Sequence, residues 1–149
     1  MSKRILSAGL LFAVSLATAP GAVAPTEKLT RVPSAGIVIA AGARAELAKT
    51  VAELGAEIES LRATLKDEKH LKLLPDVEIF HKAVDWPLRY DEFYRSNEVG
   101  IARALLKQGL ERVQQLRAGR MPWLAATGLE VRGYRSTIDG SVQIGRAHV

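Results

Sequence analysis

The apolar positions divide the chain into a helical stretch and a shorter strand-like stretch. The clearest period belongs to Leu47, Val51, Leu54, Ile58, Leu61 and Leu65, spaced 4, 3, 4, 3, 4. That spacing places all six on one stripe of an α-helix from about Arg44 to Lys66, the narrow seam of a helix hairpin or coiled coil. Lys49, Glu53, Glu57 and Glu59 fall on the opposite, solvated side. Glu59 with Arg62, and Glu46 with Lys49, stand at i,i+3, worth roughly 0.2–0.5 kcal/mol each. Gly55 costs about 1 kcal/mol against alanine and marks the close approach of a neighbouring helix. Fewer than four heptads make a poor free-standing coiled coil, so an antiparallel partner within the chain is expected.

Asp67-Glu68-Lys69-His70 reads as a charged connector. Pro75 cannot continue a preceding helix, and Asp76 is expected to cap the next one. Val77, Phe80, Val84 and Leu88 give that second helix one apolar face, with a kink or end near Asp85-Trp86 imposed by Pro87. Trp86, Tyr90, Phe93 and Tyr94 are expected to form the thick end of the core, polar tips outward, rather than a ligand-stacking site. Ser96 or Asn97 caps a third helix, with Glu98 in its first turn. Val99, Ala102, Leu106, Leu110 and Val113, extended by Leu105 and Leu116, are its apolar face. Arg117 suits its last turn and Gly119 the left-handed residue after it.

Met121-Pro122-Trp123 ends the helical part, and the period then changes. Leu129 to Tyr134 alternates, and Asp139-Gly140 predicts a two-residue hairpin turn, with Ile138 leading in and Val142 leading out. A lone hairpin is marginal in water, so these strands call for a sheet beyond what the sequence supplies. The expected fold class is mainly α: a helical hairpin or small bundle, followed by a β-hairpin that begins a β or α/β domain of the full-length protein.

The two ends fall outside this pattern. Lys3 and Arg4 precede an uncharged run from Ile5, and small-x-small sites follow at Ala17-Thr18-Ala19 and Ala22-Val23-Ala24. This is the layout of a secretory signal peptide, and the mature protein is expected in the periplasm or outside the cell. The uncharged Ile5–Ala24 stretch nearly matches a bilayer in length, but Pro20 and Gly21 oppose a continuous helix there. Ile144-Gly145-Arg146-Ala147-His148-Val149 departs from the alternation before it and reads like translated sequencing-adapter sequence. The native sequence is therefore expected to end its record at Gln143. The expected organisation is a signal peptide over 1–24, a lead-in over 25–43 with an extended Gly36–Ala40 run, a helical domain over 44–119, the start of a β region over 120–143 and a non-native tail over 144–149.

Composition changes this picture little. The 149 residues are 48% hydrophobic and 25% charged, as suits one small globular domain, and contain no cysteine. A disulfide scaffold, a thiolate metal site and a cysteine nucleophile are thereby excluded. Without Lys3, Arg4 and Arg146 the basic count falls from 21 to 18 against 16 acidic residues, so the net charge drops from +5 to +2. Basic and acidic residues are interspersed along every helix, which argues against a nucleic-acid partner.

Candidate chemistry is sparse. The chain carries no G-x-S-x-G, G-x-x-x-x-G-K-[ST], H-E-x-x-H or G-x-G-x-x-G. His70 and His81 stand eleven residues apart, about 16 Å even along one straight helix, too far to share a metal. Asp76, Glu78, Asp85, Asp91 and Glu92 are interleaved with Lys82, Arg89 and Arg95 and read as solvated ion pairs. Ser136, Thr137 and Ser141 read as turn residues. No catalytic, cofactor-binding or metal residue is assigned, and no cofactor is expected.

Two stretches nevertheless go together. Leu73-Leu74-Pro75-Asp76-Val77-Glu78-Ile79-Phe80-His81-Lys82-Ala83-Val84, continuing to Tyr90-Asp91-Glu92-Phe93-Tyr94, precedes Pro122-Trp123 and then Gly128 to Gln143. This order resembles the N-terminal region of exported bacterial α/β-hydrolase proteins of the prolyl-oligopeptidase-like serine peptidase and esterase type, over roughly residues 37–143. The resemblance implies a helical segment and first strands ahead of a separate catalytic domain bearing a Ser-Asp-His triad. It supplies no triad residue here, and Pro87 departs from the helix former expected at its position. The implied function is that of a non-catalytic N-terminal fragment whose partner is its own catalytic domain, with no stable membrane span after signal cleavage. The alternative is a complete small exported helical module that binds a partner through the 47–65 stripe.

Overall fold

The computed structural model describes residues 35–148, with side chains described through residue 145. The expected signal peptide over 1–24 and residues 25–34 of the lead-in lie outside the described residues. The protein is mainly helical: α1 (Ala41–Thr64), a single-turn α2 (Glu68–Leu71), α3 (Pro75–Tyr90), α4 (Glu98–Arg117), a 3-10 turn (Pro122–Leu124), and an antiparallel pair β1 (Leu129–Arg135) and β2 (Val142–His148).

The α1 stripe is buried as its spacing requires. Leu47, Val51, Leu54, Ile58 and Leu61 all face the core, and Leu65 packs at its margin. Cross-links fix the directions of the helices. Arg44, near the start of α1, donates to the Leu88 carbonyl at 2.8 Å and pairs with Asp91 at the end of α3, while Arg62 pairs with Glu78 near the start of α3. α1 and α3 are therefore antiparallel. Glu46 with Arg103 and Glu57 with Arg117 run in the same order along both helices, so α1 and α4 are parallel. Glu46 thus reaches across to α4 instead of pairing with Lys49, because the fork of Arg103 offers it two bonds, at 2.8 and 2.6 Å. Glu59 does pair with Arg62, at 2.6 Å.

Two glycines permit this packing. A Cβ at Gly55 would lie 3.1 Å from His81 Nε2, so the close approach expected there is to α3. A Cβ at Gly109 would lie 2.7 Å from Leu54 Cδ2 and 2.9 Å from Phe80 Cβ, which makes Gly109 the point where α1, α3 and α4 meet.

Several local expectations are corrected. Part of the charged connector folds as α2, capped by Asp67, whose carboxylate accepts the Lys69 N–H at 2.9 Å. α3 does not stop at Asp85-Trp86 but runs through Pro87 to Tyr90. The missing N–H falls in the last turn, where little helix remains to lose, and the Pro87 carbonyl accepts from Asp91 and Glu92 to close the helix. Of the four aromatics expected in the core only Phe93 is buried; Trp86 is 50% exposed, Tyr90 54% and Tyr94 41%. Leu88 already faces the bundle, so the Trp86 and Tyr90 side of α3 turns outward. At α4, Asn97 occupies the cap position without a side-chain bond; Glu98 does the work, accepting Tyr94 N–H at 2.7 Å. The Gly36–Ala40 run forms no strand, yet Gly36 and Ile37 donate to the Asp91 and Phe93 carbonyls, and α1 begins at Ala41, inside the expected lead-in.

The β-hairpin also differs from expectation. Ser136 N–H donates to the Ser141 carbonyl, and Gly140, at φ 70°, donates to the Ser136 carbonyl. Thr137 to Gly140 therefore form a four-residue connection, and Ile138 sits at its tip, 96% exposed, rather than in the strand. The backbone pairing continues past Gln143 to Leu129↔His148.

Candidate functional site

Helical sequences rarely bury a carboxylate in a first turn, yet Asp76 is only 1% exposed. Pro75 takes the first helical position, where its missing N–H costs nothing, and Leu74, Val77 and Phe80 pull this turn into the core. Asp76 is consequently not the cap it was expected to be. Its carboxylate accepts Gly133 N–H at 2.6 Å, Trp123 Nε1–H at 3.1 Å, and Arg132 Nε–H at 3.0 and 3.1 Å to the two oxygens.

Arg112 completes the junction from α4. Its guanidinium, 3% exposed as a residue, donates to the Asp76 carbonyl at 3.1 Å and the Val131 carbonyl at 3.0 Å, and pairs with Glu130. It lies over the Phe80 and Trp123 rings at 4.8 and 5.0 Å, a stacking that suits a weakly hydrated planar cation. Burial pushes Arg112 below its ordinary pKa; Glu130 and then Asp76 oppose that shift, and Arg132 reinforces it. Two carboxylates face two guanidiniums, so the buried charge is balanced, and among the described residues no buried side-chain N or O lacks a partner. Beside this cluster Glu78 accepts Arg135 at 2.8 Å and also pairs with Arg62.

The chemical capacity of this arrangement is that of a clasp. An Asp76 carboxylate occupied by these donors has no free face for a substrate proton. Gly133 shows how tight the clasp is, since a Cβ there would lie 2.0 Å from the Pro75 carbonyl oxygen. The hairpin expected to need a further sheet is supported along β1 by the start of α3.

The clasp also determines which side of the hairpin is open. With Ser136 and Ser141 bonded to each other, alternation puts residues 130, 132 and 134 in the bonded pairs with β2. Val131 and Gly133 then point their backbone groups away from β2, where Arg112 and Asp76 take them. On β2 the outward set is Val142, Ile144 and Arg146. Lys82 Nζ donates to the Val142 carbonyl at 2.7 Å, and among the described residues no bond to the outward groups of Ile144 is made.

Of the acidic set read as solvated pairs, Asp85 and Asp91 behave so, with Arg89 and Arg44, whereas Asp76 and Glu78 are buried. The turn residues act as expected: the Ser136 and Ser141 hydroxyls, then Ser141 N–H, hold the Asp139 carboxyl below its ordinary pKa. Sequence reasoning missed Arg112, although a signal existed. Arg112 falls on the apolar face of α4 between Gly109 and Leu116, a charge at a core position. No helix among the described residues is long and apolar enough to cross a membrane. Compared with family models, curated proteins and solved structures, the chain matches none.

Proposed function

We propose that this chain is the N-terminal, non-catalytic part of an exported serine hydrolase of the prolyl-oligopeptidase-like α/β-hydrolase type, and that it carries the first hairpin of the sheet onto which its catalytic domain is built. The observation that carries this reading is the one-sided hairpin. β1 has its outward edge closed by Asp76 and Arg112, while among the described residues the outward edge of β2 receives only the Lys82 bond at Val142. Leu129 and Val131 are exposed on one face of β1 and Tyr134 on the other, apolar surface suited to being covered by further sheet. The two stretches that carry the family resemblance also meet in space through Asp76 and Gly133.

The rival reading, a partner-binding module working through the 47–65 stripe, finds that stripe buried against α3 and α4, so no observation favours it. The chain by itself carries no nucleophile and is expected to hydrolyse nothing. Sequencing the locus beyond the codon for Gln143 tests the proposal. An open frame encoding G-x-S-x-G within a few hundred codons, and fluorophosphonate labelling of its product but not of this chain, supports it; an immediate stop codon in genomic DNA overturns it.

A further inference from the structure

The connection between the two strands contains a chemically weak link. Asp139-Gly140 sets a side-chain carboxyl beside an amide nitrogen that no Cβ shields. In a flexible chain the Gly140 nitrogen attacks the Asp139 carboxyl carbon. A C–N bond forms, the hydroxyl of the acid leaves with the amide proton as water, and a five-membered succinimide results. Water then adds to one of the two ring carbonyls. Opening at the side-chain carbonyl restores aspartate, whereas opening at the main-chain carbonyl leaves isoaspartate, whose peptide link runs through the side chain.

In the folded hairpin both reactants are engaged elsewhere. The nucleophile is held by its proton, as Gly140 N–H donates to the Ser136 carbonyl at 3.0 Å. The electrophile is turned to the next residue along: the Asp139 carboxylate accepts Ser141 N–H at 3.1 Å and the Ser141 hydroxyl at 2.8 Å. Gln143 Nε2 donates to that hydroxyl oxygen at 2.7 Å, and Arg135 donates to the Gly140 carbonyl at 3.3 Å. The Ser136 and Ser141 hydroxyls, then Ser141 N–H, also keep the carboxyl ionised to lower pH than usual, and a carboxylate gives up oxygen far less readily than the acid. Burial does not protect the link, since Asp139 and Gly140 are both exposed. These restraints lie within residues 135–143 and require the strand ends to be paired, Ser136 N–H to the Ser141 carbonyl at 2.8 Å.

We infer that Asp139-Gly140 is a site of spontaneous conversion to isoaspartate gated by the hairpin, closed while β1 and β2 are paired and open when their ends separate. A two-stranded hairpin is marginal without support, so the clasp at Asp76 and Arg112 guards the link as well. Isoaspartate adds a carbon to the backbone of a connection that already relies on a left-handed Gly140, at φ 70°, to close. The strand ends therefore re-pair poorly after conversion, and the modification records how often the hairpin has opened.

The test follows isoaspartate at residue 139 by peptide mapping and mass spectrometry while the whole chain is incubated in neutral buffer, against the same chain unfolded in guanidinium chloride. Conversion of the folded chain proceeds through its open fraction and is expected to be at least about tenfold slower than that of the unfolded one. Ser141→Ala removes the hydroxyl clamp and should convert faster than the unsubstituted chain at an unchanged melting temperature. Asp76→Ala, which releases β1, should convert faster still. Asp139→Glu, whose longer side chain has to close a six-membered ring, should give no product and so assigns the signal. Equal rates in the folded and unfolded chain, no conversion when unfolded, or a Ser141→Ala rate equal to that of the unsubstituted chain overturns the inference. An unaccelerated Asp76→Ala whose β1 amides have lost protection does the same.

Discussion

The interior of the helical bundle and the junction of the hairpin are both buried, yet they are held by different physics. Where α1, α3 and α4 meet, Leu54 and Phe80 close over Gly109 within a core that includes Val84 and Leu106, and the attraction is apolar burial that tolerates repacking. At the junction, Asp76, Arg112, Arg132 and Glu130 form a charge-balanced network around Trp123. Such a network has little net worth beyond an apolar substitute, but it is costly to leave half-made. The bundle therefore makes the domain stable, and the junction makes the placement of the hairpin specific.

Removing one partner of the network is the strongest way to break this contrast. Asp76→Ala leaves Arg132 and the Trp123 indole without an acceptor and should cost about 3–5 kcal/mol. Urea titration measures the loss, and amide exchange should show β1 released before the helices. Survival of full protection in β1 would mean that apolar contact alone holds the hairpin.

Leu54→Ala, at a fully buried bundle position, should cost about 2–5 kcal/mol. It should lower helix and hairpin protection together, because among the described residues the hairpin rests on the bundle. Gly133→Ala strikes the Asp76 junction from the strand side. The added methyl would lie 2.0 Å from the Pro75 carbonyl oxygen, backbone that cannot swing aside, so β1 must lift from α3 at a cost above the ~1–3 kcal/mol of ordinary overpacking, read as loss of β1 exchange protection with a red shift of Trp123 emission.

The smallest effect lies on the exposed rim. The hydrogen bond from Arg103 holds the Glu46 carboxyl below its ordinary value, burial slightly opposing it. A depressed folded-state pKa stabilises above the unfolded value of 4.5 and is lost as the pH falls through the folded one. Glu46→Gln should therefore narrow the stability difference between neutral and acid pH, by an amount near the resolution of calorimetry, while leaving the hairpin's exchange rates unchanged.

How much of this was legible follows from the range of each interaction. The α1 stripe, the apolar face of α4, the left-handed Gly119 and the existence of the hairpin all rest on contacts within a few residues, and each is found in place. The Asp76 cap was misread because a carboxylate after a proline looks the same whether its acceptor oxygens serve its own helix or a strand 57 residues away. Trp86, Tyr90 and Tyr94 were misread because their hydrophobicity says that they favour burial, not whether the bundle has room for them.

The amino-acid order by itself determined where helices and strands form and which stripe of each turns inward, since backbone period and side-chain polarity are local properties. Tertiary structure alone decided that Asp76 and Arg112 would close one edge of the hairpin and that Lys82 would reach the Val142 carbonyl on the other. Those outcomes depend on charges distant in sequence arriving in the same few ångströms, and on a glycine at 133 whose missing side chain lets a strand lie against the start of a helix.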